Sequence, residues 1–195
     1  MIADTGEHAL PPSWFAIQRR TTELGFDMPS EPRAAALLRL LAASKPGGRL
    51  LELGTGTGLA TAALLSGMSA DAQLVTVDID ERVQTVAREA LGSDHRVSFV
   101  LQDGLGFIRE QAPATFDLVF ADAMPGKYEA TDEALSLVRH GGFFIGDDML
   151  PQPNWPASHQ DRVDQLIAYF QNLPGWTTTC LGWGSGFILA VRTAS

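Results

Sequence analysis

The sequence predicts an α/β protein: a mostly parallel sheet with helices on both faces, closed by an antiparallel hairpin at the C-terminal end. Short, unbroken apolar runs such as "RLLEL" and "FDLVFAD" alternate with segments whose apolar residues recur at helical spacing. A glycine-rich turn, "GTGTG", joins the first run directly to the next helical segment. The last two runs, "WTTTCLGW" and "SGFILAVRT", leave no room for a crossover helix between them and should pair antiparallel. A chain of 195 residues with 45% hydrophobic content suits one domain with a substantial core.

The elements follow in chain order. Residues 1–29 are rich in Pro, Thr and charge around one mixed stretch, "SWFAIQRRTTELGF". They read as an arm over the active site or a subunit contact, set apart from a domain spanning 30–195. "SEPRAAALLRLLAAS" is a helix, with Ser30 as N-cap, Pro32 in the first turn and Ala34, Leu37, Leu38 and Leu41 on one stripe. "KPGG" stops it. "RLLEL" is the first strand, and a helix runs from about Leu59 to Leu65. "AQLVTVDI" is the next strand, followed by the helix "DERVQTVAREAL" with Val83, Val86, Ala87 and Ala90 on one face. "RVSFVLQ" is a strand and "GLGFIREQ" a short helix. "FDLVFAD" and "GGFFIGDD" are apolar strands separated by a helix within "YEATDEALSLVR". "QDRVDQLIAYFQ" aligns Val163, Leu166, Ile167 and Phe170 before the closing hairpin.

Composition narrows the function classes. A formal net charge of -9 would repel nucleic acid and anionic membranes at long range. The single Cys180 excludes an intrachain disulfide framework and a cysteine zinc cluster, and reads as a core thiol. The N-terminus lacks a basic stretch followed by an apolar core, and no apolar run approaches the ~20 residues needed to span a bilayer. A cytoplasmic protein is the expectation.

The glycine loop points to a ligand. Glycines alternating between a strand and a helix let the backbone turn tightly and leave no side chain between loop and ligand. In nucleotide sites of this kind an acid about 20 residues on bonds the ribose hydroxyls, and Asp78 stands at that distance from Gly58. Asp103 in "LQDG" ends the following strand. The dinucleotide fingerprint G-x-G-x-x-G/A fails in both frames, because its third position falls on Leu59 or Thr61. No "GK[ST]" sequence is present to help hold a pyrophosphate. An adenosine-type ligand without phosphates remains, and S-adenosylmethionine suits an acidic neighbourhood.

"LELGTGTG" followed by "VDID", "QDG", "FADA" and "GGFFIGDD" resembles the class I S-adenosylmethionine-dependent methyltransferases. Among them it resembles most the small O-methyltransferases of the catechol and caffeoyl-CoA type. The likeness spans about Ser30 to Asp148. It implies a Rossmann-like seven-stranded sheet, and the closing hairpin fits that expectation. It also implies cofactor contacts from Glu52, Gly54, Thr55, Gly56, Gly58, Asp78, Ile79, Asp103, Gly104 and Asp122, with the segment Gln102 to Leu105 near the adenine.

Further acids end the later strands. Asp122 closes "DLVFAD", and Asp147 and Asp148 close "GFFIGDD". Carboxylates that converge repel, and a divalent cation offsets them; oxygen-only ligation favours Mg²⁺, with Mn²⁺ or Ca²⁺ as options. The resemblance implies the same metal site, with Asp148 standing where the family has Asn. It also makes Lys127 the candidate base, five residues after Asp122 where related enzymes have three. His95, His140 and His159 read as surface or cap residues, whereas His8 could reach the acceptor on a mobile arm. "PQPNWPASHQ" places rigid prolines around Trp155 as a wall for a flat acceptor, which Trp14 could face, although a core or subunit-contact role for either Trp is equally open.

The resulting expectation is methyl transfer from S-adenosylmethionine to a hydroxyl of a small molecule, metal-assisted, with Asp122 and Lys127 catalytic. The alternatives are a metal-independent methyltransferase, a nicotinamide oxidoreductase and a non-catalytic cofactor-binding module. A homodimer is an expectation from relatives alone.

Overall fold

The computed structural model describes Gly6, Glu7 and residues 10–156 and 158–193. These residues form one seven-stranded sheet in the order β3-β2-β1-β4-β5-β7-β6. The strands are β1 (Arg49–Leu53), β2 (Gln73–Asp78), β3 (Val97–Leu101), β4 (Phe116–Ala121), β5 (Val138–Gly146), β6 (Trp176–Leu181) and β7 (Phe187–Arg192). The first five are mutually parallel. β7 then inserts antiparallel between β5 and β6, so the hairpin expected at the C-terminal end closes that edge.

Apolar side chains cover both faces, which is why the central strands read as unbroken hydrophobic runs. Leu50, Leu118 and Phe120 join one core cluster, and their strand neighbours Leu51, Val119 and Ala121 join the other, as the two-residue pleat requires. The first cluster takes in α1 (Ser13–Leu24), α2 (Pro32–Ala43), α3 (Leu59–Gly67) and part of α4 (Glu81–Leu91). The second takes in α5 (Gly104–Glu110), α6 (Thr131–Ser136) and α7 (His159–Gln171). Among the described residues, no helix is long and apolar enough to cross a membrane.

Four local expectations are corrected. Glu31, not Ser30, is the N-cap of α2, and no side chain bonds that end, where Pro32 occupies the first turn and needs no N–H partner. On α4 the buried face ends in Leu91, with Ala90 exposed and Gln84 wholly buried. Cys180 is an exposed free thiol, because β6 is the edge strand and alternate side chains there lack a covering layer. The arm is not separate from the core: α1 packs on α3 and α4 and buries Trp14 to 1% exposure together with Ile17 and Thr21. Trp14 therefore does not face an acceptor. His8 lies outside the described residues.

The turn from β1 into α3 is held from beneath. Gly54 has φ +99° and Gly58 φ +95°. A Cβ on Gly54 would lie 2.6 Å from the Asp122 carbonyl oxygen, and one on Gly58 would lie 2.6 Å from the Ala87 Cβ of α4. Only glycine satisfies both the conformation and the approach. Between these glycines, Thr57 meets the hydroxyl of Thr21 at 2.7 Å, which ties the loop to α1. Thr55 is fixed by a polar chain buried under α3: the Gln84 amide donates to Thr55 at 3.1 Å, the Thr55 and Thr76 hydroxyls meet at 2.7 Å, and Thr76 donates to Glu52 Oε2 at 2.5 Å. Thr61 donates to the same oxygen at 2.6 Å. The other oxygen, Oε1, is buried without a hydrogen-bond partner. Burial pushes the Glu52 carboxyl up to about 8, against the two threonine bonds that favour its charge.

Two expected outcomes follow from this packing. Trp14→Ala removes a fully buried indole from the core and should lower unfolding stability by about 3–5 kcal/mol, measured by urea titration. Glu52 holds a proton in the fold up to about pH 8 but ionises near its ordinary 4.5 once unfolded. The unfolded chain therefore binds fewer protons between those values, and stability contributed by the neutral group, full below pH 4.5, is lost as pH rises towards 8. Glu52→Gln keeps an oxygen for both threonines and cannot ionise. Its unfolding free energy should fall less steeply across that window, by on the order of 1 kcal/mol per pH unit. Equal slopes in variant and parent would show that Glu52 is already ionised in the fold.

Candidate active site

The parallel ladder continues past the strand ends and sets their following residues side by side. Gln102 N–H bonds the Asp78 carbonyl, Gly54 N–H the Val77 carbonyl, and Asp122 N–H the Leu53 carbonyl, each at 2.9 Å. Asp147 N–H reaches the Ala121 carbonyl at 3.2 Å. Gln102, Asp78, Gly54, Asp122 and Asp147 thus line the carboxyl edge in strand order. That order reverses between β1 and β4, where open α/β sheets leave a crevice.

A cavity of about 550 Å³ occupies the β2–β1 side of this crevice. Gly54, Thr55, Gly56, Asp78, Ile79, Asp103, Gly104 and Asp122, eight of the ten expected cofactor contacts, line it, and Gly58 stands behind Gly56 as the N-cap of α3. Glu52 is the correction: it lies under α3, outside the cavity wall, and shapes the loop through the threonines described above. The Asp78 carboxylate is oriented by Gly56 N–H at 2.7 Å on one oxygen and by Asp80 N–H at 2.9 Å on the other. Each oxygen accepts only one of these bonds and keeps a lone pair for a ligand hydroxyl. Asp103 has two roles, lining the cavity and capping α5 through Gly106 N–H at 3.1 Å. An S-adenosylmethionine-sized ligand fits here: the close-approach glycines, the oriented diol acceptor and the apolar flank of Ile79 and Val83 match its parts.

A second cavity, about 700 Å³, adjoins the first and shares Asp122, Ala123, Met124 and Asp148 with it. Lys127 is buried at its floor and donates through Nζ to the Asp147 carbonyl at 2.9 Å. Burial, then the neighbouring Asp147, pushes the Asp122 carboxyl well above the usual carboxylate range, against the opposing pull of Lys127. Burial, then Asp148, pushes Asp147 up to about 7. Asp147 Oδ1 already accepts from Asp148 N–H at 2.7 Å and from the Ser185 hydroxyl. Asp148 itself sits at φ +60°, a left-handed conformation that aspartate tolerates.

The expected divalent site finds no support in this geometry. Among the described residues, no group of three or more His, Cys, Asp or Glu side chains is arranged to hold a metal ion. Asp122, Asp147 and Asp148 share the crevice without forming such a set. Asp147 spends lone pairs on Ser185 and its own loop, and the repulsion is relieved by raised carboxyl pKa values and by the Lys127 ammonium instead.

Other wall residues carry no individual signal in the sequence, although Phe26, Met28 and Pro29 belong to the segment expected as an arm over the active site. Phe26 flanks the glycine loop, 3.4 Å from where a Cβ of Gly56 would stand, and Met28, Pro29 and Ser30 line both cavities. His159, read as a surface or cap residue, lines the second cavity at the start of α7, with its ring centroid 4.5 Å from Trp155 and 5.2 Å from Tyr128. Its neighbour Trp155 does stand in that wall, as the proline-flanked segment suggested. Arg162, one turn further along α7, joins them. His95 is exposed, and His140 bonds the Thr193 carbonyl at 3.2 Å, away from both cavities. No local signal marked Phe26 or His159, because neither stands in a motif with fixed spacing.

Comparison with known proteins gives the same frame. The family model described as O-methyltransferase matches residues 16–173. A protein of Mycobacterium ulcerans named for O-methyltransferase activity is 34% identical over 176 residues, which cover 83% of this chain and 76% of that one. A similarly named protein of Mycobacterium tuberculosis is 33% identical over 133 residues, covering 66% of this chain but only 59% of its own length. Among solved structures, the O-methyltransferase TomG of Streptomyces achromogenes, involved in tomaymycin synthesis and crystallised in complex with SAM, superposes with a TM-score of 0.78 at 25% identity, over 94% of this chain and 91% of its own. With its sheet order, its glycine loop and Asp78 on the carboxyl edge, the chain belongs to the O-methyltransferase family.

Proposed function

We propose that this protein transfers the methyl group of S-adenosylmethionine to a hydroxyl oxygen of a small molecule, without a resident metal ion. The observation that carries the reading is the meeting of two cavities at Asp122, next to Asp148 and above Lys127. One cavity has the features of a cofactor chamber, and the other is open and large enough for an acceptor. A non-catalytic binding module would have that second space occluded.

Bound S-adenosylmethionine supplies an electrophilic methyl on a cationic sulfur. The protein's part is positioning. Asp78 holds the ribose diol, the glycine loop admits the methionine moiety close to the backbone, and Phe26 with Met28 shields the chamber from water. The acceptor hydroxyl lies at the junction of the cavities, in line with the methyl. As the new O–C bond forms and the C–S bond breaks, the hydroxyl proton passes to the ionised member of the Asp122–Asp147 pair, which burial keeps basic enough to take it near neutral pH. Lys127, expected as the base, is held as a donor against the Asp147 carbonyl. In this proposal its ammonium stabilises the developing oxyanion instead. Residues 1–29 act as the arm of the site through their last few residues.

Three measurements bear on this reading. Asp78→Ala deletes charge-assisted bonds and should weaken S-adenosylmethionine binding at least about tenfold by calorimetry on the folded variant; unchanged affinity would remove Asp78 from the ribose. Turnover, followed as S-adenosylhomocysteine released with phenolic acceptors, should survive excess EDTA. Loss of activity in EDTA that Mg²⁺ restores would reinstate the metal-assisted route. Lys127→Ala should lower kcat by about 10²-fold while cofactor affinity changes little; a selective loss of cofactor binding would place Lys127 in the other chamber.

A further inference from the structure

The cofactor chamber has walls of one sign. Six acids, Asp78 and Asp122 among them, and no Lys, Arg or His stand among the described residues that line it. Lys127 belongs to the adjoining cavity and is committed to the Asp147 carbonyl. S-adenosylmethionine brings a cationic sulfur into this space, and methyl transfer leaves the neutral thioether of S-adenosylhomocysteine. Apart from one methyl group, the two ligands differ only in that charge.

A further carboxyl lies beneath the glycine loop. Glu52 is 0% exposed and touches none of the chamber's space, yet a directed chain of bonds ties it to the chamber wall. The Arg88 guanidinium donates to Gln84 Oε1 at 3.1 and 2.8 Å, and the Gln84 amide donates to Thr55 at 3.1 Å. Thr76 spends its proton on Glu52 Oε2, so at their 2.7 Å contact Thr55 is the donor to Thr76. Every donor therefore points towards Glu52, with a cation at the far end, and such a chain polarises in favour of a carboxylate. Thr61 adds a second donor to the same oxygen. The proton of neutral Glu52 then belongs to Oε1, which is buried without a partner. Neutral Glu52 strands an O–H, and ionised Glu52 buries a charge.

The surroundings leave these two states close in energy. Burial raises the carboxyl to about 8, Thr61 and Thr76 oppose that rise, and Asp78 of β2 adds to it. Asp122, past the end of β4, is pushed up by burial and Asp147 first, and Glu52 adds to that rise as well. Glu52 thus senses charge on both sides of the chamber. The covering helix α3 carries no ionisable acid or base, and Arg19, Arg20 and Glu23 of α1 are exposed and paired with one another or with Glu89 of α4. A cation arriving in the chamber has only to bring Glu52 from about 8 to below neutral to ionise it.

We infer that Glu52 exchanges a proton in step with the charge of the cofactor, and so sets the preference of this chamber for S-adenosylmethionine over S-adenosylhomocysteine without touching either. The inference rests on the cofactor reading of the chamber. As the sulfonium binds, Glu52 gives its proton to solvent. Methyl transfer then removes the positive charge, and the hydroxyl proton goes to the Asp122–Asp147 pair. Glu52 takes a proton back from that pair, and both return to their starting states. One turnover releases the single proton that methylation of a hydroxyl liberates. The carboxylate that favours the substrate is no longer there to favour the product.

The test needs binding alone. S-adenosylmethionine and S-adenosylhomocysteine are each titrated into the full-length protein by calorimetry at pH 7, in buffers of different ionisation enthalpy, which counts the protons released. S-adenosylmethionine should release most of a proton per site and S-adenosylhomocysteine little. Below about pH 8 the affinity ratio of the two should rise with pH, by up to about tenfold per pH unit, and level off above it. Glu52→Gln should still bind both ligands but lose the difference in proton release and the slope. The double variant Asp122→Asn/Asp147→Asn should keep the difference, which assigns it to Glu52 even where Glu52→Gln fails to fold. Equal proton release with the two ligands, or a difference that disappears in the double variant, overturns this inference and leaves the cofactor reading standing. Failure of both ligands to bind overturns the two together.

Discussion

The loop between β1 and α3 passes so close to its surroundings that two of its positions have no space for a side chain. At Gly54 the limit is the backbone carbonyl of Asp122, and at Gly58 it is Ala87 of α4. The first contact draws the β1 loop against the end of β4, across the point where strand order reverses. The second sets the spacing between the loop and the helix that follows β2. Everything the site contains depends on this approach. It orients Gly56 N–H towards Asp78, opens the crevice beside it, and brings the Asp122 backbone to the boundary between the two cavities.

Holding a loop in left-handed conformations requires support from residues that never reach a ligand. Here it comes from a buried polar chain running from Gln84 through Thr55 and Thr76 to Glu52, and from Thr21 on α1. A carboxyl at the end of such a chain is tolerable inside a core because it can stay neutral, and burial raises its pKa for that purpose. The carboxyl edge solves a related problem differently. There several acids meet in one crevice, and a buried ammonium, a serine hydroxyl and retained protons share the work of keeping them together.

The N-terminal segment joins these two regions. Trp14 and Ile17 anchor α1 in the core, and Thr21 touches the glycine loop. The chain then leaves the helix at Gly25 and runs over both cavities through Phe26, Met28, Pro29 and Ser30. A helix that is structural at its start and forms a site wall past its end does not divide cleanly at residue 29. Its mixed composition reflects both duties.

The sequence by itself determined the order and type of nearly every element. Unbroken apolar runs mark buried parallel strands, glycine alternation marks the tight turn, and an acid at fixed distance marks the end of β2. These are local signals, set by residue types a few positions apart. It also determined which residues end each strand, and so which groups share the carboxyl edge. What it could not fix was the direction in which those groups are spent. Whether Asp122, Asp147 and Asp148 gather around a metal depends on how Ser185, 38 residues beyond Asp147, and Lys127 approach them in the folded chain. Whether Glu52 touches the ligand or supports the loop depends on which face of β1 it occupies relative to α3. Trp14 in the core, Cys180 on an open edge and His159 in a cavity wall were likewise decided by which surfaces other elements cover. Side-chain burial and charge pairing are settled by contacts between distant parts of the chain, and the local pattern of residues does not carry them.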